Sequence, residues 1–162
     1  MPSEVIVTGV KDALAASLGI LESARKEVVW LASPSLLSLS IRLGFAERTK
    51  PFIRGGGVSR GIVQSSQANV REVEICLETG KDVRHSDDVR ELWMFVSDAP
   101  ESVSAINTGV YDVTLDTPMT AFWSDSPTYA QYLLDLFETR WSEAVPAAER
   151  LQELLARESG TR

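Results

Sequence analysis

Few residues in this chain have the types and spacing that chemistry uses. His85 is the single histidine, with Asp87 and Asp88 close behind it. A carboxylate beside an imidazole raises its pKa and orients the ring, as a general base or nucleophile requires. A serine triad would also need an exposed nucleophile, and no G-x-S-x-G turn is present. A histidine at a strand end without such a turn reads as structural. Gly55-Gly56-Gly57, with Arg60 and Gly61, has the composition of a phosphate loop. Phosphate cradles follow a strand and open a helix, where backbone N–H groups converge. This run closes a helix and precedes a strand, so it reads as a turn. Thr8-Gly9-Val10-Lys11 lacks the second glycine of a P-loop. Glu72/Glu74 and Asp87/Asp88 are the ligand type of a hard cation, yet no D-x-D-x-D-G loop frames them. Cys76, between Ile75 and Leu77 on a helix, reads as a buried, inert thiol. One cysteine excludes an internal disulfide and multi-cysteine zinc sites, and one histidine excludes two-histidine motifs. No metal and no cofactor is expected.

The 162 residues fit one domain. With 44% hydrophobic and 24% charged residues, the composition is that of a globular chain able to bury a core. The net charge of −7 is the wrong sign for a phosphate-backbone binder, so direct nucleic-acid contact is not expected. Neither a basic, apolar leader nor an apolar run near the roughly 20 residues of a membrane span is visible. A cytoplasmic chain without membrane contact is the expectation.

The elements that must position these residues alternate along the chain. Glu4 to Thr8 is β-rich, an edge strand or a lead-in. Val10, Leu14, Leu18 and Leu21 share one helical face. Val28-Val29-Trp30-Leu31-Ala32 is a continuous apolar run, which suits a strand covered on both faces, and Ser33-Pro34 stops it. A helix is predicted over 36–53, ended or bent by Pro51, then strands over 58–63 and 82–85 around a helix that Ser65 or Ser66 caps and Gly80 stops. Residues 92–96 form another buried strand, with 102–107 as its hairpin return, 109–118 as loop and 120–123 as the last strand. Ser126-Pro127 caps a helix carrying Tyr129, Leu133, Leu136, Phe137 and Trp141 on one face. Pro146 opens a last helix whose end should fray. The pattern predicts a single α/β domain: a mixed, mostly parallel sheet with helices on both faces. Its expected divisions are a lead-in at 1–9, the domain at 10–145, and a terminal helix and tail at 146–162.

Over 10–141 this order resembles one half of the phospholipase D-like superfamily. The features that carry it are Leu31-Ala32-Ser33-Pro34 ending a strand, the glycine turn before the strand at 58–64, Gly80 before Asp82-Val83-Arg84-His85, the strand at 91–98, and Thr120-Ala121-Phe122-Trp123. Phe137-Glu138-Thr139-Arg140-Trp141 looks like the family's terminal Phe-Glu-x-x-Trp segment, and the chain is similar in particular to effector domains of TrmB-type archaeal regulators. The superfamily's signature is His-x-Lys-x4-Asp. The best register here is Glu91 to Asp98: the aspartate is kept as Asp98, while Glu91 stands at the histidine position and Trp93 at the lysine position. Ser104-Ala105-Ile106-Asn107 lies near the family's Gly-Ser-x-Asn, one residue early and without the glycine.

The resemblance implies a fold whose attacking imidazole and cationic clamp are gone. A carboxylate at 91 repels a phosphodiester, and tryptophan supplies no charge. The functional expectation is a non-catalytic sensor or regulatory domain that binds a small-molecule effector or a protein partner in transcription or signalling. Whether it is an enzyme is left open, more in favour of not. The resemblance also implies a homodimer, and no DNA-reading head is visible before the first helix. The expected ligand-binding residues are Ser33, Ser35, Gln64, Ser65, His85, Glu91, Trp93, Asp98, Asn107 and Trp123. Trp93 either walls a pocket there or fills the vacated space as core. The alternatives are a diverged phosphodiesterase or nuclease drawing on His85, Arg54, Arg60, Arg84 and Arg90, or a pure protein-interaction module.

Overall fold

The continuous apolar runs become sheet strands buried on both faces. The computed structural model describes residues 3–89, 92–106 and 113–160. In chain order they form β1 (Glu4–Thr8), α1 (Val10–Ser23), β2 (Glu27–Ala32), α2 (Pro34–Arg42), α3 (Phe45–Arg54), β3 (Val58–Val63), α4 (Val70–Thr79), β4 (Asp82–His85), β5 (Leu92–Ser97), β6 (Ser102–Ile106), β7 (Thr120–Ser124), α5 (Pro127–Glu143), β8 (Val145–Pro146) and α6 (Ala147–Gly160). One sheet runs β1-β7-β6-β5-β2-β3-β4-β8.

Alternation along each strand divides the core. Val28, Trp30 and Ala32 of β2, and Trp93 and Phe95 of β5, face a layer built by α1, α2, α3, α4 and α6. Val29, Leu31, Met94 and Val96 face α5 through Leu133, Phe137 and Trp141. Two-sided burial is why these strands read as unbroken apolar segments.

The α/β class with helices on both faces is as expected, but the sheet is not mostly parallel. Only β2–β3 and β3–β4 pair in parallel. The pairings β1–β7, β7–β6, β6–β5, β5–β2 and β4–β8 are antiparallel. The reason is β5: it enters next to β2 with Val28 opposite Ser97 and Leu31 opposite Met94, a short hairpin return adds β6, and β7 then pairs antiparallel with β6. Only β2, β3 and β4 lie side by side in one direction.

The predicted helix over 36–53 is two helices. Gly44 takes the left-handed conformation at φ 85°, and its N–H closes on Ile41 O, ending α2. Pro51 lies inside α3, close to its C-terminal end. Gly80 stops α4 in the same left-handed way, at φ 97°. Glu4–Thr8 is the edge strand, and Val145–Pro146 at the other edge pairs with β4 before α6 packs on β4.

Candidate functional site

The parallel strands β2, β3 and β4 end side by side; Ser33 follows β2, Gln64 and Ser65 follow β3, and His85 is the last residue of β4. Ligand sites of open α/β sheets gather at such carboxyl ends. At this edge the polar side chains are tied to neighbouring backbone and side-chain groups. Ser33 Oγ accepts from Leu36 N–H at 3.4 Å and caps α2. Ser35 Oγ accepts from Val113 N–H at 3.2 Å. Gln64 reaches Asp87 Oδ1 through Nε2 at 3.5 Å.

His85 is buried and engaged at both ring nitrogens. Ser65 N–H donates to Nδ1 at 2.8 Å, and Nε2 lies 3.3 Å from Asp87 Oδ1. An Nδ1 that accepts leaves the proton of the neutral ring on Nε2, where it donates to the carboxylate. Burial pushes the His85 pKa down, and Asp87 opposes that shift without overcoming it. Ser65 Oγ is buried and makes no hydrogen bond among the described residues.

The other expected residues within the described part do not join these contacts. Trp93 lies near the start of β5, beside the end of β2 and so close to Ser33, but it is 5% exposed and packs in the core on the α2 side. Asp98 is at the opposite sheet edge, where its carboxylate accepts from Arg25 N–H and Lys26 N–H, each at 2.9 Å. Burial pushes its pKa up, but these backbone donors outweigh it and hold the acid below its ordinary value. Its role is to fix the corner between α1 and β2. Trp123 stands on β7, five strand positions from β4. At roughly 4.8 Å per strand that is about 24 Å, too far to share a site with His85. Glu91 and Asn107 lie outside the described residues, as does Arg90.

Two of the arginines named as phosphate partners, Arg60 and Arg84, are otherwise engaged. Arg60 is held by Glu138 and by Glu27, the latter at 2.9 Å, and Glu138 chiefly raises its pKa. Its guanidinium also lies 5.2 Å from the Trp141 ring centroid. Arg84 donates to Trp141 O at 2.8 Å and stacks on the same indole at 4.2 Å. Both therefore serve to dock α5. Arg54 ends α3 at the edge opposite His85. Among the described residues no group of three or more His, Cys, Asp or Glu side chains comes together to hold a metal.

Two features escaped the sequence reading. An open groove of about 430 Å³ runs between α5 and strands β5 to β7, lined by Leu92, Ile106, Phe122, Tyr129, Tyr132 and Arg140 among others. Tyr129 stacks on Tyr132 with centroids 6.3 Å apart, and its hydroxyl meets Ser104 Oγ at 2.8 Å. The second is Lys81, which is buried and places its ammonium 5.5 Å from the Trp30 ring centroid.

No family model matches the chain, and no curated protein matches it in sequence. Solved structures do match in shape. Nuc from Salmonella typhimurium, a phospholipase D family member, superposes with a TM-score of 0.67 at 13% identity over 90% of this chain and 98% of its own. The fold is phospholipase D-like. NucT from Helicobacter pylori agrees, with a TM-score of 0.69 at 11% identity, over 90% of this chain and 99% of that one. TrmBL2, an archaeal chromatin protein, superposes with a TM-score of 0.68 at 15% identity; 88% of this chain spans 54% of TrmBL2, about half its length.

The last likeness corrects an expectation. Direct nucleic-acid contact was excluded on net charge and on the lack of a reading head. TrmBL2 shares this phospholipase D-like fold and is described by its mode of DNA binding. Overall charge is a poor ground for that exclusion, because binding depends on local clusters of cations and not on the sum. Among the described residues no helix is long and apolar enough to cross a membrane.

Proposed function

We propose that this chain is a non-catalytic sensor or regulatory domain that keeps the phospholipase D-like scaffold without its phosphoryl-transfer chemistry. One observation carries the reading: the chain's single imidazole is engaged at both nitrogens. Nucleophilic attack on phosphorus needs a free nitrogen lone pair and cations that hold the phosphoryl oxygens. Here the Nδ1 lone pair accepts from Ser65 N–H, and the charge nearest Nε2 is the Asp87 carboxylate. Arg60 and Arg84 serve α5 instead of a substrate.

The ligand this reading calls for fits the aromatic groove better than the sheet edge. Stacked tyrosines with one arginine at the rim suit a sugar or another small molecule with both apolar and hydroxylated faces. Tyr132 is 62% exposed there, so its removal costs the fold little. The test is a thermal-shift screen with sugars, nucleotides and phosphate esters. A true ligand at ~100 Kd adds roughly 2.7 kcal/mol, and Tyr132→Ala should erase that gain while leaving the unliganded melt in place. If no compound acts through Tyr132, the groove assignment fails.

The likeness to TrmBL2 favours a second reading, in which the domain contacts DNA. A mobility-shift titration at two salt concentrations separates it from the first. Binding that weakens steeply with salt supports DNA contact, and no shift at low salt removes it.

A further inference from the structure

Lys81 sits between the glycine stop of α4 and the start of β4, at the sheet edge opposite His85. It is 8% exposed. Among the described residues no carboxylate lies within ion-pair distance of it; its ammonium faces the Trp30 ring. Beside it is a cavity of about 30 Å³, walled by Trp30, Phe45, Trp93 and Phe95 among others. That is space for about two waters, at the roughly 10–15 Å³ each needs.

The polar groups that line this cavity are nearly all committed. Ser17, Ser40 and Thr49 donate their hydroxyl protons to Ala13 O, Leu37 O and Phe45 O within their own helices. Ser59 Oγ differs: it accepts the Trp30 Nε1–H at 3.1 Å, which leaves its proton uncommitted. The cavity therefore holds one cation, one free hydroxyl donor and aromatic walls. A buried cation without a partner is costly, and a bound anion offsets that cost. A phosphate dianion would need more donors than these two. A monoanion with a small or apolar remainder matches both the charge and the volume.

We propose that this cavity is a binding site for a one- or two-carbon carboxylate, held by the Lys81 ammonium and the Ser59 hydroxyl against the aromatic walls. The site is separate from the aromatic groove and does not rest on the sensor reading. The other residues lining it, from α1, α2, α3, β2, β3 and β5, carry no charge, and the one titratable group bearing on Lys81 is the Cys76 thiol of α4. Burial lowers the Lys81 pKa, so a bound anion must hold the proton on, and affinity falls as pH rises through that lowered value.

The experiment is a set of melts of the wild type and Lys81→Met in sodium formate or sodium chloride at equal ionic strength. Formate at about ten times its Kd should raise the wild-type midpoint by about 3–6 °C, less as the pH is raised in steps, and leave Lys81→Met unmoved. An equal rise in both proteins is a bulk salt effect and overturns the proposal. An equal rise with chloride overturns the carboxylate assignment. Should Lys81→Met fail to melt cooperatively, saturation transfer from the Trp30 and Trp93 indoles to formate in the wild type decides the matter. Its presence supports the site and its absence overturns it.

Discussion

Strand β4 carries a buried nitrogen base near each end, and the two ends are built differently. His85 closes one end with a backbone donor on one nitrogen and a carboxylate on the other. Lys81 precedes the other end with an indole face and a small cavity for company. Burial lowers both pKa values. The first base is satisfied within the protein. The second is left wanting a counter-charge. Burial alone is thus no sign of function; the count of satisfied hydrogen bonds around the buried group is more informative.

The largest expected effect comes from the wall of the Lys81 cavity. Trp93→Ala should lower stability by roughly 3–5 kcal/mol in a denaturant melt, because the indole is core. A cost under about 1 kcal/mol would show that the indole is not core and weaken the account of a filled site. Gly61→Ala comes next. Its Cβ would stand 2.0 Å from Trp30 Cε2, and overpacking of this kind costs roughly 1–3 kcal/mol. His85→Ala leaves the Ser65 N–H unpaired at about 1–3 kcal/mol.

The same comparison sets the pH dependence. The folded pKa of His85 lies below the ordinary 6.5, so the unfolded chain takes up the proton first as pH falls. Stability should decline below about pH 6.5 until the lowered folded value is passed, and His85→Ala should flatten that slope. At the other end, the folded pKa of Lys81 lies below 10.5, so stability should rise with pH from that lowered value toward 10.5. Lys81→Met should abolish this rise and stabilise the protein by about 1 kcal/mol at neutral pH, the smallest of these effects.

Much of the fold was legible from local pattern. The apolar run at 28–32 announced a strand covered on both faces, Gly80 announced the end of α4, and Ser126-Pro127 announced α5. The antiparallel entry of β5 was not legible, since a strand apolar on both faces reads the same in either direction. Of the expected residues, Ser33, Gln64, Ser65 and His85 lie at one end of the sheet, because they stand at the ends of strands that run parallel. Strand order separates Trp123 from them, whereas Trp93 starts the strand beside β2 and packs in the core. Lys81 left no trace in the pattern: a lysine between Gly80 and Asp82 looks like any exposed charge at a turn.

The central claim is that the phosphoryl-transfer chemistry of this scaffold is gone. Its most direct test is turnover of a generic phosphodiester, bis(p-nitrophenyl) phosphate, by the purified wild type and His85→Ala side by side. The account expects both to match the buffer background. Hydrolysis by the wild type that disappears in His85→Ala would contradict it.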